Sequence, residues 1–182
     1  MMHLGQEPVM KVAEPLGERY CARLVALPPA LNTGNALIDD EHRQLLAVMQ
    51  QLRTVCADPE RLADCLGCAG ARRQACEHAV VGILGDLFAF ILEHFASEER
   101  IMRDAMMAVT EHDLCAAHIE DHAAIAQKVQ EIVSRLDFAH TVARIRELDG
   151  LLGRWLDNHI GMHDLILVGW LGKGSQPPPD AR

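Results

Sequence analysis

HFASEERIM, residues 94–102, and HIEDH, residues 118–122, decide how this 182-residue chain folds. On an α-helix, residues four apart lie on one face, one turn above the other. His94 and Glu98 have that spacing, and so do His118 and His122. Around the first pair, Val80, Ile83, Leu84, Leu87, Ile91 and Met102 recur at helical intervals. Such periodicity predicts a helix from about Ala75 to Met107, and another from about Asp113 to Leu136. Ile38, Leu45, Leu46, Met49 and Leu52 repeat the pattern upstream. They predict a helix from near Ile38, with Asp39 and Asp40 at its positive end, that fails near Asp58 and Pro59. A fourth is predicted from about Ala139 to Val168. Strand alternation persists nowhere. The fold expected is all-α: an antiparallel up-and-down four-helix bundle.

The bundle is expected over residues 31–171, behind an N-terminal arm at 1–30. Pro28, Pro29, Asn32, Gly34 and Asn35 mark the turn between them. A Cys-rich insert, about residues 56–78, connects the first two helices. The tail, GKGSQPPPDAR at 172–182, is read as disordered from its Pro/Gly content. The net charge is −9 with histidines neutral. That argues against nucleic acid and anionic membranes as partners, because nothing would neutralise phosphates. No run of 18 residues lacks charge, so no membrane span is expected. The first residues lack the basic cluster and apolar core of a secretory signal. Six cysteines without such a signal read as reduced thiols in a cytoplasmic protein rather than as a disulfide framework.

Ten histidines are many for this length. His42 lies on the first predicted helix, His94 on the second, His118 and His122 on the third and His159 on the fourth. Every helix can therefore turn an imidazole inward. Glu98 and Asp164 add carboxylates. Imidazole suits iron, zinc and copper, while a carboxylate can bridge two cations with its two oxygens. Two divalent ions held close repel, and bridging anions screen that repulsion. Seven ligands leave two six-coordinate ions short of a full set, so a small molecule has a place to bind. A single histidine on a helix is usually a surface or core residue, and His3, His78, His112 and His140 are read so. Convergence from four helices is what separates His42, His94, His118, His122 and His159.

IDDEHRQLL at 38–46, HFASEERIM, HIEDH and WLDNHIGMHD at 155–164 resemble the four ligand segments of the hemerythrins, specifically bacteriohemerythrin-like domains. The resemblance spans about residues 30–171. It implies a non-haem, oxygen-bridged di-iron centre that binds dioxygen reversibly at one iron. It also implies that His118, His122 and His159 hold one iron and His42 and His94 the other. Glu98 and Asp164 would bridge them. The segments from His42 to His94 and from Glu98 to His118 are longer than the family's usual ones.

His159 and Asp164 are five apart, about 140° around an ideal helix. His163, four from His159, fits an ideal face better. Periodicity chooses His163, whereas the resemblance chooses Asp164. An oxygen pocket should be apolar and closed. Leu45, Leu46, Met49, Phe90, Ile91, Ile119, Ile125, Trp155 and Ile160 flank the ligand positions, and each serves equally as plain core.

Storage, delivery or sensing of oxygen is the expected role, not catalysis. The alternatives are a regulatory oxygen or redox sensor and a di-iron oxidoreductase acting on peroxide or nitric oxide. Ferritin-like di-iron enzymes carry Glu-x-x-His pairs, and this chain has none. A protein partner is left open. In the insert, Cys56, Cys65, Cys68 and Cys76 fall in a C-x8-C-x2-C-x7-C pattern. Zinc, a redox pair at Cys65 and Cys68, and simple packing all remain open there. Cys21 and Cys115 read as packing residues.

Overall fold

Asn35 starts the first helix, α1 (Ala36–Val55), by accepting hydrogen bonds from the backbone N–H groups of Leu37 and Ile38 at 3.0 and 3.4 Å. The loop before it is folded onto Asp39, which is buried. The Asp39 carboxylate accepts from Thr33 N and Thr33 Oγ1, both at 2.8 Å, and from Gly34 N at 3.2 Å. Gly34 has φ +81°, a left-handed conformation that glycine adopts at little cost. A 3-10 turn at Pro29–Leu31 precedes this loop and buries Leu31. The computed structural model described here covers residues 25–56, 64–105, 110–137 and 139–174.

Three long helices follow: α2 (Gly70–Asp104), α3 (His112–Ser134) and α4 (Thr141–His159). After α4 the chain makes a π-helical turn, Ile160–Asp164, and continues as α5 (Leu165–Gly174). Among the described residues there is no strand. α1 packs on α2, α2 on α3, α3 on α4, and α4 back on α1, which closes the ring. The direction of each helix follows from where its buried histidines sit. His42 and His118 lie near the starts of α1 and α3, while His94 and His159 lie near the ends of α2 and α4, yet all four meet. Neighbouring helices therefore run antiparallel. At the opposite end, Cys65 N–H donates to the Ala139 carbonyl at 2.9 Å, tying the first connection to the last.

The main apolar core runs along the bundle axis through Val48, Leu52, Leu87, Val129 and Leu152. A smaller cluster of Ile38, Met102, Cys115 and Leu167 lies beside the other end. Cys115 is thus a packing residue, as expected. Leu167 explains why the chain stays helical past Val168. It is buried, and Val168 and Trp170 pack against the same cluster. The helix therefore runs to Gly174 rather than dissolving at 172.

The second helix also begins earlier than its apolar pattern indicated. It starts at Gly70 rather than near Ala75, so residues 70–74 are helical, and the insert expected over about 56–78 overlaps α2 from Gly70 onward. Ala71, Arg72, Arg73, Gln74 and Ala75 all favour helix, and nothing after Gly70 breaks it. By length and composition alone α2 could cross a membrane; core helices of bundles pass the same test, and α2 carries buried His94 and Glu98. Of the arm, residues 1–24 with His3 and Cys21 lie outside the described residues. So do residues 57–63 of the insert and 175–182 of the tail.

Asp39 therefore links sequence to site geometry, because the loop it holds carries Leu31 towards His42. Replacing Asp39 with alanine strands the Thr33 N–H and hydroxyl, while Gly34 N–H keeps Asn32 Oδ1 at 2.9 Å, and should cost about 1–3 kcal/mol of stability. Asp40→Ala, at an exposed position facing Arg43, should cost less than about 1 kcal/mol. Urea unfolding of the two variants beside the parent checks this.

Candidate metal centre

Seven polar side chains are buried where the four long helices meet: His42, His94, Glu98, His118, His122, His159 and Asp164. None is more than 3% exposed. The helical spacing of His94 with Glu98, and of His118 with His122, turns each pair inward from α2 and α3. His42 enters from α1 and His159 from α4.

Glu98 is the hub. Its Oε2 lies 3.1 Å from the Nε2 atoms of both His118 and His122, 3.5 Å from that of His159 and 3.6 Å from that of His94. Donor atoms of Glu98, His118, His122 and His159 all lie within 4.8 Å of one another. Asp164 joins the two halves. Its Oδ2 is 3.0 Å from His42 Nε2, and its Oδ1 is 3.1 Å from His159 Nε2 and 3.6 Å from His118 Nε2.

The backbone turns Asp164, rather than His163, to the inner face. The N–H of Leu165 bonds the carbonyl of Ile160, the i to i+5 pattern of a π-helical turn. This wider turn brings a residue five positions after His159 back to the inner face. Asp164 is fully buried as a result. His163 is displaced to the side, half-buried, and stacks on His118 with ring centroids 4.9 Å apart.

Three further groups fix the ring orientations, and the sequence analysis did not single them out. His42 Nδ1 donates to the Leu31 carbonyl at 3.2 Å. His94 Nδ1 donates to Glu41 Oε2 at 2.9 Å, and His159 Nδ1 to Asp121 Oδ2 at 2.8 Å. With Nδ1 protonated, the neutral tautomer of each ring presents the Nε2 lone pair to the centre, as metal-binding histidines do. Asp121 also accepts from Trp155 Nε1 at 2.7 Å. Trp155 in turn stacks on His159, with centroids 4.4 Å apart. Phe95, also not anticipated, stacks on His122 with centroids 3.8 Å apart and 6° between planes. Asp121 and Glu41 were legible as neighbours of ligand positions, being one residue from His122 and from His42. Their direction was not.

Of the apolar residues expected around the site, Leu45, Met49, Phe90, Ile91, Ile125, Trp155 and Ile160 are buried in the core and Leu46 packs partly against it. Ile119 is instead 45% exposed, because it follows His118 by one residue and so points away from the face that His118 and His122 share. His78, His112 and His140 are exposed.

Electrostatics show what the cluster requires. Burial alone would drive the Glu98 carboxyl upward, but His94 and the bonds from His118, His122 and His159 hold it well below the usual range. Asp164 is lowered likewise, its burial outweighed by His159 and His42. Burial opposes a charge on His159, yet Asp121, Asp164 and Glu98 push it up to about 11. His94 is raised against its own burial by Glu98 and Glu41. His122 is lowered by its burial, which the bond to Glu98 opposes and the nearby His118 and His159 rings reinforce. The site thus keeps its carboxylates ionised and draws in positive charge, but crowded imidazoles cannot all take a proton. Moreover, Glu98 Oε1 is buried without any hydrogen-bond partner, and Asp164 Oδ1 meets only the Nε2 atoms of His159 and His118, with poor hydrogen-bond geometry. Buried polar atoms are nearly always paired. An orphaned carboxylate oxygen beside converging Nε2 atoms fits a cation-binding site.

A helical bundle with such a site at its centre defines a metal-binding four-helix protein. The sequence profile described as the Hemerythrin HHE cation binding domain matches residues 33–171, and the chain belongs to the hemerythrin family. Two relatives are bacteriohemerythrins of Pseudomonas aeruginosa and Pseudomonas paraeruginosa. Each is 30% identical over 135 residues, covering 74% of this chain and 72% of the relative. A bacteriohemerythrin of Stenotrophomonas maltophilia is 27% identical over 130 residues, covering 71% and 70%. No solved structure matches.

The π-helical turn makes a clear prediction. Asp164→Ala should weaken metal retention by about 100-fold or more, whereas His163→Ala should change it by less than about tenfold. Chelator competition followed by metal analysis of the two variants distinguishes them, and the reverse order would reassign the ligand.

Proposed function

We propose that this chain is an oxygen-binding protein with a non-haem di-iron centre, serving oxygen storage, delivery or sensing. The observation that carries this reading is the pair of buried carboxylates, Glu98 and Asp164, set between two groups of imidazoles. His118, His122 and His159 form one group and would hold one iron. His42 and His94 form the other and would hold the second. Glu98 and Asp164 would help to hold both ions, and Glu98 Oε1 has no hydrogen-bond partner in the protein. When bound, a pair of ferrous ions supplies the electrons for reversible uptake of dioxygen.

The protein's own part is to position and to enclose. Leu31, Glu41 and Asp121 hold three imidazoles by their outer nitrogens. Phe95 and Trp155 sheath His122 and His159. Phe90 stacks on His94 with centroids 5.3 Å apart. These rings, with the core behind them, keep bulk water from the buried donors. Exclusion of water favours reversible binding, because it denies protons to reduced oxygen species.

Five imidazoles and two carboxylates favour this role over an oxidoreductase acting on peroxide or nitric oxide, whose ferritin-like counterparts use carboxylate-rich sites. A regulatory module that reports oxygen to a partner would use the same centre. The net charge of −9 argues against nucleic acid as a partner.

The aerobically purified chain should contain two irons and show a visible absorption band that disappears on deoxygenation, returns with oxygen, and shifts with azide. Zinc in place of iron, one metal per chain, or a spectrum indifferent to oxygen would refute the reading.

A further inference from the structure

The end of the bundle away from the metal centre holds a second chemical grouping. Cys56, Cys65, Cys68 and Cys76 all line one cavity of about 130 Å³, together with Arg72, Arg73 and the α4 residues Thr141, Val142 and Ile145. The thiols reach it from three segments. Cys56 follows the last residue of α1, Cys65 and Cys68 sit in the turn before α2, and Cys76 lies two turns into α2. All four are free. Cys76 Sγ donates to the Val55 carbonyl at 3.5 Å, which places it beside the peptide bond leading into Cys56.

Two chemistries use such a set. A soft metal ion needs its sulfurs gathered around one point. Among the described residues, the groups whose donor atoms lie that close include none of these cysteines. A disulfide needs only two. Cys68 N–H donates to the Cys65 carbonyl at 3.2 Å, closing a four-residue turn. Such a turn brings its end Cα atoms within about 7 Å. A disulfide spans Cα separations of about 4.4–6.8 Å. The turn is held from both sides, by Cys65 N–H on the Ala139 carbonyl and by Leu66 N–H on the Asp64 carboxylate at 2.8 Å. Cys68 is half-exposed and Cys65 buried, so the first meets an oxidant and the second waits behind it.

We propose that Cys65 and Cys68 form a reversible disulfide in response to hydrogen peroxide, making this cavity a thiol redox site separate from the metal centre. The Cys68 sulfur attacks one peroxide oxygen; the O–O bond breaks, an S–O bond forms, and water leaves. The Cys65 sulfur then attacks the resulting sulfenic acid; the S–S bond forms, the S–O bond breaks, and a second water leaves. Two thiols give up one electron each, and the peroxide takes both. A small dithiol reverses the reaction by exchange. Cys56 and Cys76 face the same cavity as a second pair of thiols.

The test uses the full chain, reduced, desalted and exposed to hydrogen peroxide before maleimide labelling and tryptic mapping. Cleavage after Arg61 and Arg72 isolates residues 62–72, which contain Cys65 and Cys68 and no other cysteine. That peptide should lose the mass of two hydrogens, refuse maleimide, and recover both thiols with dithiothreitol. Cys68→Ser should slow the loss of the Cys65 thiol by about tenfold or more, and Cys21→Ser should change nothing. Oxidation of exposed Met162 reports that peroxide was active. A peptide that still takes two maleimides once Met162 is oxidised would overturn the proposal. So would a disulfide that instead joins Cys56 or Cys76 to the turn. Stoichiometric zinc that blocks all four thiols until chelated would replace it with a structural metal site.

Discussion

Glu98 is a carboxylate with none of its surface exposed, in the middle of a helical bundle. Moving such a group out of water costs several kcal/mol unless compensating charge and hydrogen bonds meet it there. The bundle meets it with the Nε2 atoms of four histidines drawn from three other turns of helix and from its own helix. That requirement organises what surrounds it. α2 must present His94 and Glu98 on one face, α3 must present His118 and His122 opposite, and α4 must deliver His159 to the same point. Leu31, Glu41 and Asp121 then anchor the outer edges of the rings. A centre this dense in donors, with Glu98 Oε1 unpartnered, is only half described by its own hydrogen bonds; a divalent cation would supply the missing charge without the proton crowding that five imidazoles would suffer.

How much of this could be read from residues alone follows from the periodicity of each feature. The i,i+4 pairs on α2 and α3 were legible because a regular helix makes spacing equivalent to direction. His42 and His159 were legible only as one imidazole per remaining helix. Asp164 was not legible from periodicity, which preferred His163. The π-helical turn breaks the rule that the preference relied on, and no single residue type announces such a turn. The groups that orient the rings were hidden for a different reason. The carbonyl of Leu31 belongs to the backbone, and Glu41 and Asp121 look like solvated neighbours of ligand positions until the fold turns them. The element ends missed at Gly70 and Gly174 reflect tertiary packing and good helix formers overriding glycine and proline as markers.

The two ends of the bundle carry different chemistry. One end joins nitrogen and oxygen donors, buried and fixed by a network of hydrogen bonds. The other gathers four sulfurs around a cavity and a hydrogen-bonded turn. A long apolar cluster, including Leu45, Leu52, Leu152 and Ile145, lies between them. The oxygen binding proposed at the first and the thiol oxidation proposed at the second use different residues at opposite ends of that cluster.

The central claim is that seven named side chains hold two irons. Diffraction from crystals of the iron-loaded chain, recorded at the iron absorption edge, tests it most directly. Two anomalous peaks should lie between Glu98 and Asp164, one against His118, His122 and His159 and the other against His42 and His94. A single peak, or iron bound to His163 with Asp164 turned away, would contradict the account.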